Sequence, residues 1–170
     1  IDLGIDDDAQ MIFETLNARG TPLSPSDLIK NIIFQRIERE KDSESLYERF
    51  WKPLENPFWE HEVSSGRILY PRLSLFINQW LISKLHKEIT YRRLFSEFRK
   101  YLDSQFADAN SLLQDIYENA KIYEKMHLNA LSPTGDLSSV EIFVYRLNNL
   151  ESDVFKPLLI WLMDPTREKI

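Results

Sequence analysis

Arg67-Ile68-Leu69-Tyr70-Pro71-Arg72-Leu73-Ser74-Leu75-Phe76-Ile77-Asn78-Gln79-Trp80-Leu81-Ile82-Ser83-Lys84-Leu85-His86 is the stretch on which the fold turns. Leu69, Leu73, Leu75, Phe76, Ile77, Trp80, Leu81, Ile82 and Leu85 distribute around every side of a helix drawn through it. A helix that is apolar all round is one surrounded by others. Asn78, Gln79 and Lys84 interrupt the run well before the roughly 20 apolar residues that a bilayer requires. The pattern therefore predicts a central buried helix over about 67–86 and no membrane span.

Outward from this helix the chain is punctuated by only 4 Gly and 8 Pro, and apolar residues recur at three- and four-residue spacing in nearly every segment between them. The fold class predicted is all-α, a single irregular bundle of seven to eight helices. Leu46, Tyr47, Phe50, Trp51 and Leu54 form an amphipathic segment bent or ended by Pro53, which lacks the helical donor. The loop Asn56–Gly66 that follows carries Phe58 and Trp59, expected to tuck against the core because exposed aromatics are costly. Thr90 is placed to cap a helix with the stripe Tyr91, Leu94, Phe95, Phe98, Tyr101, Leu102 and Phe106. A helix over 108–131 follows, then a turn at Ser132–Gly135 with caps available from Asp136 to Ser139. Two shorter helices precede the Asp164-Pro165 stop, built on Val140, Phe143, Val144, Leu147 and Leu150, and on Val154, Phe155, Leu158, Leu159, Trp161 and Leu162.

A chain of 170 residues with 43% hydrophobic content suits one domain with one substantial core. The expected organisation is a single helical domain over 1–170, excised from a longer multidomain protein, with 1–8 and 164–170 as linker ends. The absence of cysteine excludes disulfides and thiolate metal sites, and the acidic start at Asp2, Asp6, Asp7 and Asp8 is unlike a secretory leader. A cytoplasmic setting is expected. The net charge of −6 disfavours a generic nucleic-acid binder, yet its distribution is uneven. Residues 1–56 sum to −5, residues 57–107 to +3 and residues 108–170 to −4. In the middle third, Arg92, Arg93, Arg99 and Lys100 share a helix face that Arg67, Arg72, Lys84 and Lys87 extend, suited to phosphate contact or to an acidic partner domain. Glu88, Glu97 and Asp103 are interspersed and would neutralise part of it.

Catalytic motifs are scarce. Trp59-Glu60-His61-Glu62 lacks the spacing of a metal site, since adjacent side chains diverge, and no metal is expected. The glycines at 4, 20, 66 and 135 are isolated, so no phosphate-cradling loop is present, and no catalytic residue is assigned. An enzyme complete within the chain would require a pocket that gathers His61, His86 or His127 with carboxylates from distant helices.

The remaining candidate is a helix-helix corner. Ala9, Ile12, Phe13 and Leu16 line one helix, and Gly20 suits its left-handed closure. Ser24, Pro25 and Asp27 then open a second helix whose stripe is Leu28, Ile29, Ile32, Ile33 and Ile37. Asn17, Arg19, Asp27, Lys30 and Asn31 gather there. Spacing allows two readings, a capped ion-pair corner or a docking edge for a phosphate or a neighbouring domain.

The text Ile12-Phe13-Glu14-x-Leu16-Asn17-x-Arg19-Gly20-x-x-Leu23-Ser24-x-x-Asp27-Leu28-Ile29-Lys30-Asn31 resembles the GmrSD-type family of restriction endonucleases. Those proteins carry a ParB-like N-terminal domain with a DGQQR motif, and many add a C-terminal His-Asn-His nuclease domain. The resemblance implies that this chain is the helical segment after the DGQQR region. It would be a scaffold or coupling domain of a prokaryotic modification-dependent, anti-phage restriction protein, not catalytic alone. The implied partners are those two domains of the same polypeptide and DNA, with no membrane. A nucleoside triphosphate and a divalent metal would serve the parent protein, and no cofactor this segment. Asn17, Arg19, Gly20, Asp27, Lys30 and Asn31 would form the docking or phosphate-contact corner. A non-catalytic protein-interaction module is the alternative.

Overall fold

The structure, a computed structural model, describes residues 23–37, 43–65, 68–105, 108–131, 135–150 and 153–165. Among these residues the chain is mostly helical, with eight α-helices and one two-stranded sheet. The predicted helical bundle is therefore present. The expected first helix, with Asn17, Arg19 and Gly20 at its end, lies outside the described residues, as do 1–8 and 166–170.

Helix α1 (Pro25–Ile37) opens as its sequence predicts. The Asp27 amide donates to Ser24 Oγ at 3.2 Å, and the Ser24 amide donates to Asp27 Oδ2 at 2.8 Å, a reciprocal cap. Ile29, Ile33 and Ile37 are buried along its inner side. The segment after it is more irregular than its apolar spacing suggests. A short α2 (Ser43–Leu46) passes into a π-helical turn Tyr47–Trp51 and a 3-10 turn Lys52–Leu54. Pro53 cannot supply an α-helical donor, so the chain changes hydrogen-bond pattern while Phe50, Trp51 and Leu54 stay buried.

Asn56 then caps α3 (Pro57–Glu60), its Oδ1 accepting from the Phe58 amide at 2.9 Å. Trp59 is buried, as expected, packed against Phe76 and Tyr123 with ring centroids 5.2 and 5.6 Å away. The rest of the expected loop is a hairpin. β1 (Glu62–Ser65) pairs antiparallel with β2 (Ile68–Pro71) in the register Glu62↔Pro71, Val63↔Tyr70, Ser64↔Leu69, Ser65↔Ile68. This corrects the predicted start of the central helix. Pro71 sits at the N-cap and α4 spans Arg72–Leu85, because the residue before a proline is driven toward extended conformations. Ile68 and Leu69 accordingly stand exposed on the hairpin instead of lying in the core.

From Arg72 onward the expectation is met. Leu73, Leu75, Phe76, Ile77, Trp80 and Leu81 are all buried, and α4 packs against α1, α3, α6 (Ala109–Leu131) and α8 (Lys156–Met163). His86 closes α4 with a left-handed φ of 53°, its amide donating to the Ile82 carbonyl at 2.9 Å. Thr90 makes no side-chain cap. The chain enters through a 3-10 turn, Tyr91–Arg93, before α5 (Leu94–Gln105), in which Leu94, Phe98 and Leu102 face inward. Asp108 caps α6 through the amides of Asn110 and Ser111. Ser138 and Glu141 close a capping box on α7 (Ser139–Asn149), and α8 ends at Asp164 as predicted. A small satellite core of Met126, Ala130 and Val144 joins α6 to α7, with Leu159 and Met163 of α8 packed on it.

Trp80 is fully buried against Phe98 and Tyr101, with centroids 6.1 and 5.6 Å away. Trp80→Ala should cost about 3–5 kcal/mol in a denaturant titration. Ser138→Ala, which removes only a cap, should cost about 1 kcal/mol in the same measurement. Equal losses from the two substitutions would show that α4 is not the centre of the core.

Candidate functional site

The described half of the predicted corner is largely occupied in holding the fold. Asp27 accepts the capping bonds of its own helix. Lys30 pairs with Glu55 at 2.5 Å and lies 4.7 Å from the centroid of the Tyr47 ring. The Tyr47 hydroxyl donates to the same carboxylate at 2.5 Å, and this bond holds its pKa above the ordinary phenol value. Asn31 is exposed. Asp27 and Lys30 thus work in opposite directions, one closing α1 and the other fastening it to the turn before α3.

The basic face is narrower than the sequence suggests. Arg92 and Lys100 are exposed and Arg99 is half-buried. Lys87 and Lys100 share Glu97, whose carboxyl is held below the usual range chiefly by Lys87. Arg67 lies outside the described residues. Two of the expected extensions belong elsewhere. Lys84 turns inward between Asp115 and Asp164, at 2.8 and 2.5 Å, and Arg72 is buried at the other end of α4. Both sit on a helix enclosed by others, so each charge must find an internal partner.

Arg72 leads to a cleft of about 280 Å³ that no single stretch of sequence announces. His61 and Glu62 come from the entry to β1, Arg72 from the first turn of α4, Tyr123 and His127 from α6, and Asp153 and Lys156 from the connection into α8. Arg72 Nη1 donates to the Phe58 carbonyl at 2.8 Å, and its guanidinium lies 4.1 Å from the centroid of the Phe58 ring. Burial lowers its pKa from the usual value. The Tyr123 ring is stacked against His127 at 3.9 Å and against Trp59, and burial raises its hydroxyl pKa.

His127 is buried in the wall of the cleft, with 6% of its surface exposed. Its Nδ1 lies 2.8 Å from the Tyr123 carbonyl, which can only accept, so Nδ1 carries the proton and Nε2 is a bare acceptor. Nε2 is buried with no hydrogen-bond partner among the described residues. Burial, followed by the positive charge of Lys156, lowers the imidazole pKa to about 4. Asp153 pairs with Lys156 through Oδ1 at 2.7 Å, which leaves Oδ2 buried and likewise unpartnered among the described residues.

The cleft brings His61 and His127 together with Glu62 and Asp153, the grouping that an enzyme complete in this chain would need. Its internal geometry is not that of a hydrolase triad, because the Nδ1 proton of His127 is held by a backbone carbonyl and not by a carboxylate. Among the described residues no group of three or more side chains is arranged to hold a metal ion. The arrangement offers acceptors and cations to a bound molecule. One clue to it exists in the sequence: His127 continues the Ile116, Ala120, Tyr123 stripe of α6, a titratable group at a core position. His86 stands apart from the cleft, its ring edge-on to Trp161.

No family model, no curated protein and no solved structure matches this chain.

The depressed His127 pKa makes stability depend on pH with a definite sign. The unfolded imidazole takes up a proton near pH 6.5 and the folded one only near pH 4. Stability is therefore undiminished above about pH 6.5 and falls as the pH drops toward 4, by roughly 3 kcal/mol in all. Denaturant titrations at pH 7 and pH 5.5 should show about 1 kcal/mol of this loss in the wild type and a smaller loss in His127→Gln. Identical slopes would mean that the imidazole is not buried as a neutral base.

Proposed function

We propose that this chain is a helical coupling domain of a protein like the modification-dependent DNA restriction proteins it resembles at residues 12–31. On this reading it acts in the cytoplasm of a prokaryote. It joins the nucleotide-handling DGQQR-type domain to a His-Asn-His nuclease domain and cuts nothing itself. The nucleoside triphosphate and divalent metal belong to those domains.

The observation that supports this reading is the exposed apolar surface on α7, α8 and the described residues between them. Leu150 is 74% exposed, Val154 80%, Phe155 50% and Leu162 58%. Phe143 and Phe155 meet edge to face at 6.3 Å while both remain exposed. Of the residues of α8, a helix with one polar side chain, only Ile160 is buried. Apolar side chains gathered at a surface mark an interaction site. They also favour the alternative, a non-catalytic protein-interaction module with a separate ligand, over a self-contained enzyme. Phe58 and Trp59 do not form the exposed aromatic patch that would favour such a module, since Trp59 is in the core and Phe58 lies under Arg72.

The paired substitution Phe155→Glu with Leu158→Glu in the full-length protein should reduce phage restriction at least about tenfold while leaving the helical circular dichroism intact. Full restriction by this variant would exclude the coupling role. A DNA contact by the basic face is tested separately. Arg92→Glu with Arg99→Glu should weaken DNA in filter binding and reduce its salt dependence, since each lost phosphate contact releases one counterion fewer. Should the intact protein hold no DNA, and restriction be indifferent to Arg92, Arg93 and Arg99, the DNA-contacting part of the proposal fails.

A further inference from the structure

His127 and Asp153 line the cleft between β1, α4, α6 and the start of α8, and each carries a buried acceptor, Nε2 and Oδ2, without a partner among the described residues. A buried polar atom left unpaired is destabilising, so an occupant that brings donors is favoured at both. The same walls carry donors as well, the Arg72 guanidinium and the Lys156 ammonium. Charge narrows the choice further. Arg72 and Lys156 are balanced by Glu62 and Asp153 around one cavity, and burial keeps His127 neutral there. A cationic occupant would face Arg72 and Lys156, and an anionic one would face Asp153 and Glu62. A hydroxyl group meets both requirements, since it donates to an acceptor while accepting from a cation.

We propose that this cleft binds a small neutral polyhydroxy molecule, a sugar ring or cyclic polyol. Its hydroxyls donate to His127 Nε2 and Asp153 Oδ2 and accept from Arg72 and Lys156. The volume of about 280 Å³ is at the small end for ligand pockets and suits one ring. The stack of Tyr123 on His127 holds the imidazole plane fixed, so the bare nitrogen is preset and does not have to be ordered by the ligand. This inference stands independently of the coupling role, because it rests on the polar groups of the cleft and not on the exposed apolar side chains.

The test uses full-length protein with D-ribose, D-glucose and myo-inositol as probes, each at about 10 mM, in ligand-observed saturation-transfer NMR. At least one probe should receive saturation at its ring protons. In a titration of ¹⁵N-histidine-labelled protein the same probe should move the His127 Nε2 resonance, a readout that needs no variant. His127→Phe preserves the aromatic stack and removes the acceptor, and should weaken binding about tenfold. The proposal is overturned by an absence of transfer to all three probes, by an unmoved Nε2 resonance, or by equal binding to His127→Phe. Preferential binding of inorganic phosphate or of a small diamine over the probes would also overturn it, since the cleft would then be selecting charge.

Discussion

A helix enclosed on every side can carry polar side chains only if each is satisfied locally or by a neighbour, and this constraint on α4 organises its surroundings. Ser74 Oγ accepts from the Ser26 amide and donates to the Ser26 hydroxyl, which fixes the start of α1 against α4. Asn78 donates to the Ile89 carbonyl at 3.0 Å and so positions the connection into α5. Ser83 returns to the carbonyl of Trp80 within its own helix. Gln79 and Trp80 are exceptions, with both amide atoms of the one and the indole Nε1 of the other buried and unpartnered among the described residues. The apolar residues of α4 supply the burial. Its polar residues determine which neighbours occupy which side, because hydrophobic contact alone is non-directional.

Sequence periodicity revealed most of this architecture because helices announce themselves through repeated spacing. The stripe of α6, the Ser24 cap and the Asp164 stop are local signals and were readable as such. The hairpin was hidden because Ile68, Leu69 and Tyr70 extend an apolar run without a break in hydropathy, and only Pro71 marks the change. The π and 3-10 turns across Tyr47–Leu54 preserve the burial of an α-helix, so a hydrophobic pattern does not distinguish them. The candidate site was the least legible part. Charge type placed Arg72 and Lys84 on a basic face, yet what decides their roles is which end of α4 each occupies and what the opposing helices present.

The cleft itself is a by-product of topology. His61, Arg72, His127 and Asp153 are far apart along the chain and meet because α3 and β1 run into α4 on one side while α6 and α8 close the other. Arg72 is common to both parts. Its amide donates to the His61 carbonyl at 2.9 Å and its guanidinium to Phe58, so the short α3 and the hairpin are tied to the helix that carries the core. A site assembled in this way inherits its rigidity from the bundle, which suits the fixed Nδ1 bond and ring stack of His127.

The attachment of α8 has a further consequence. At its C-terminal end Asp164 is gripped by Lys84, which also holds Asp115, with Asn119 donating to both carboxylates. Along its length the helix is held by Ile160 in the core and by Leu159 and Met163 on the satellite cluster. Dissolved salt acts on these two fastenings in opposite senses. Counterions weaken a charge clip, less so where it is partly buried, while excluded salts such as sulfate favour apolar burial. A helix secured by only one kind of contact would loosen at one extreme of ionic strength; α8, secured by both, is buffered against either.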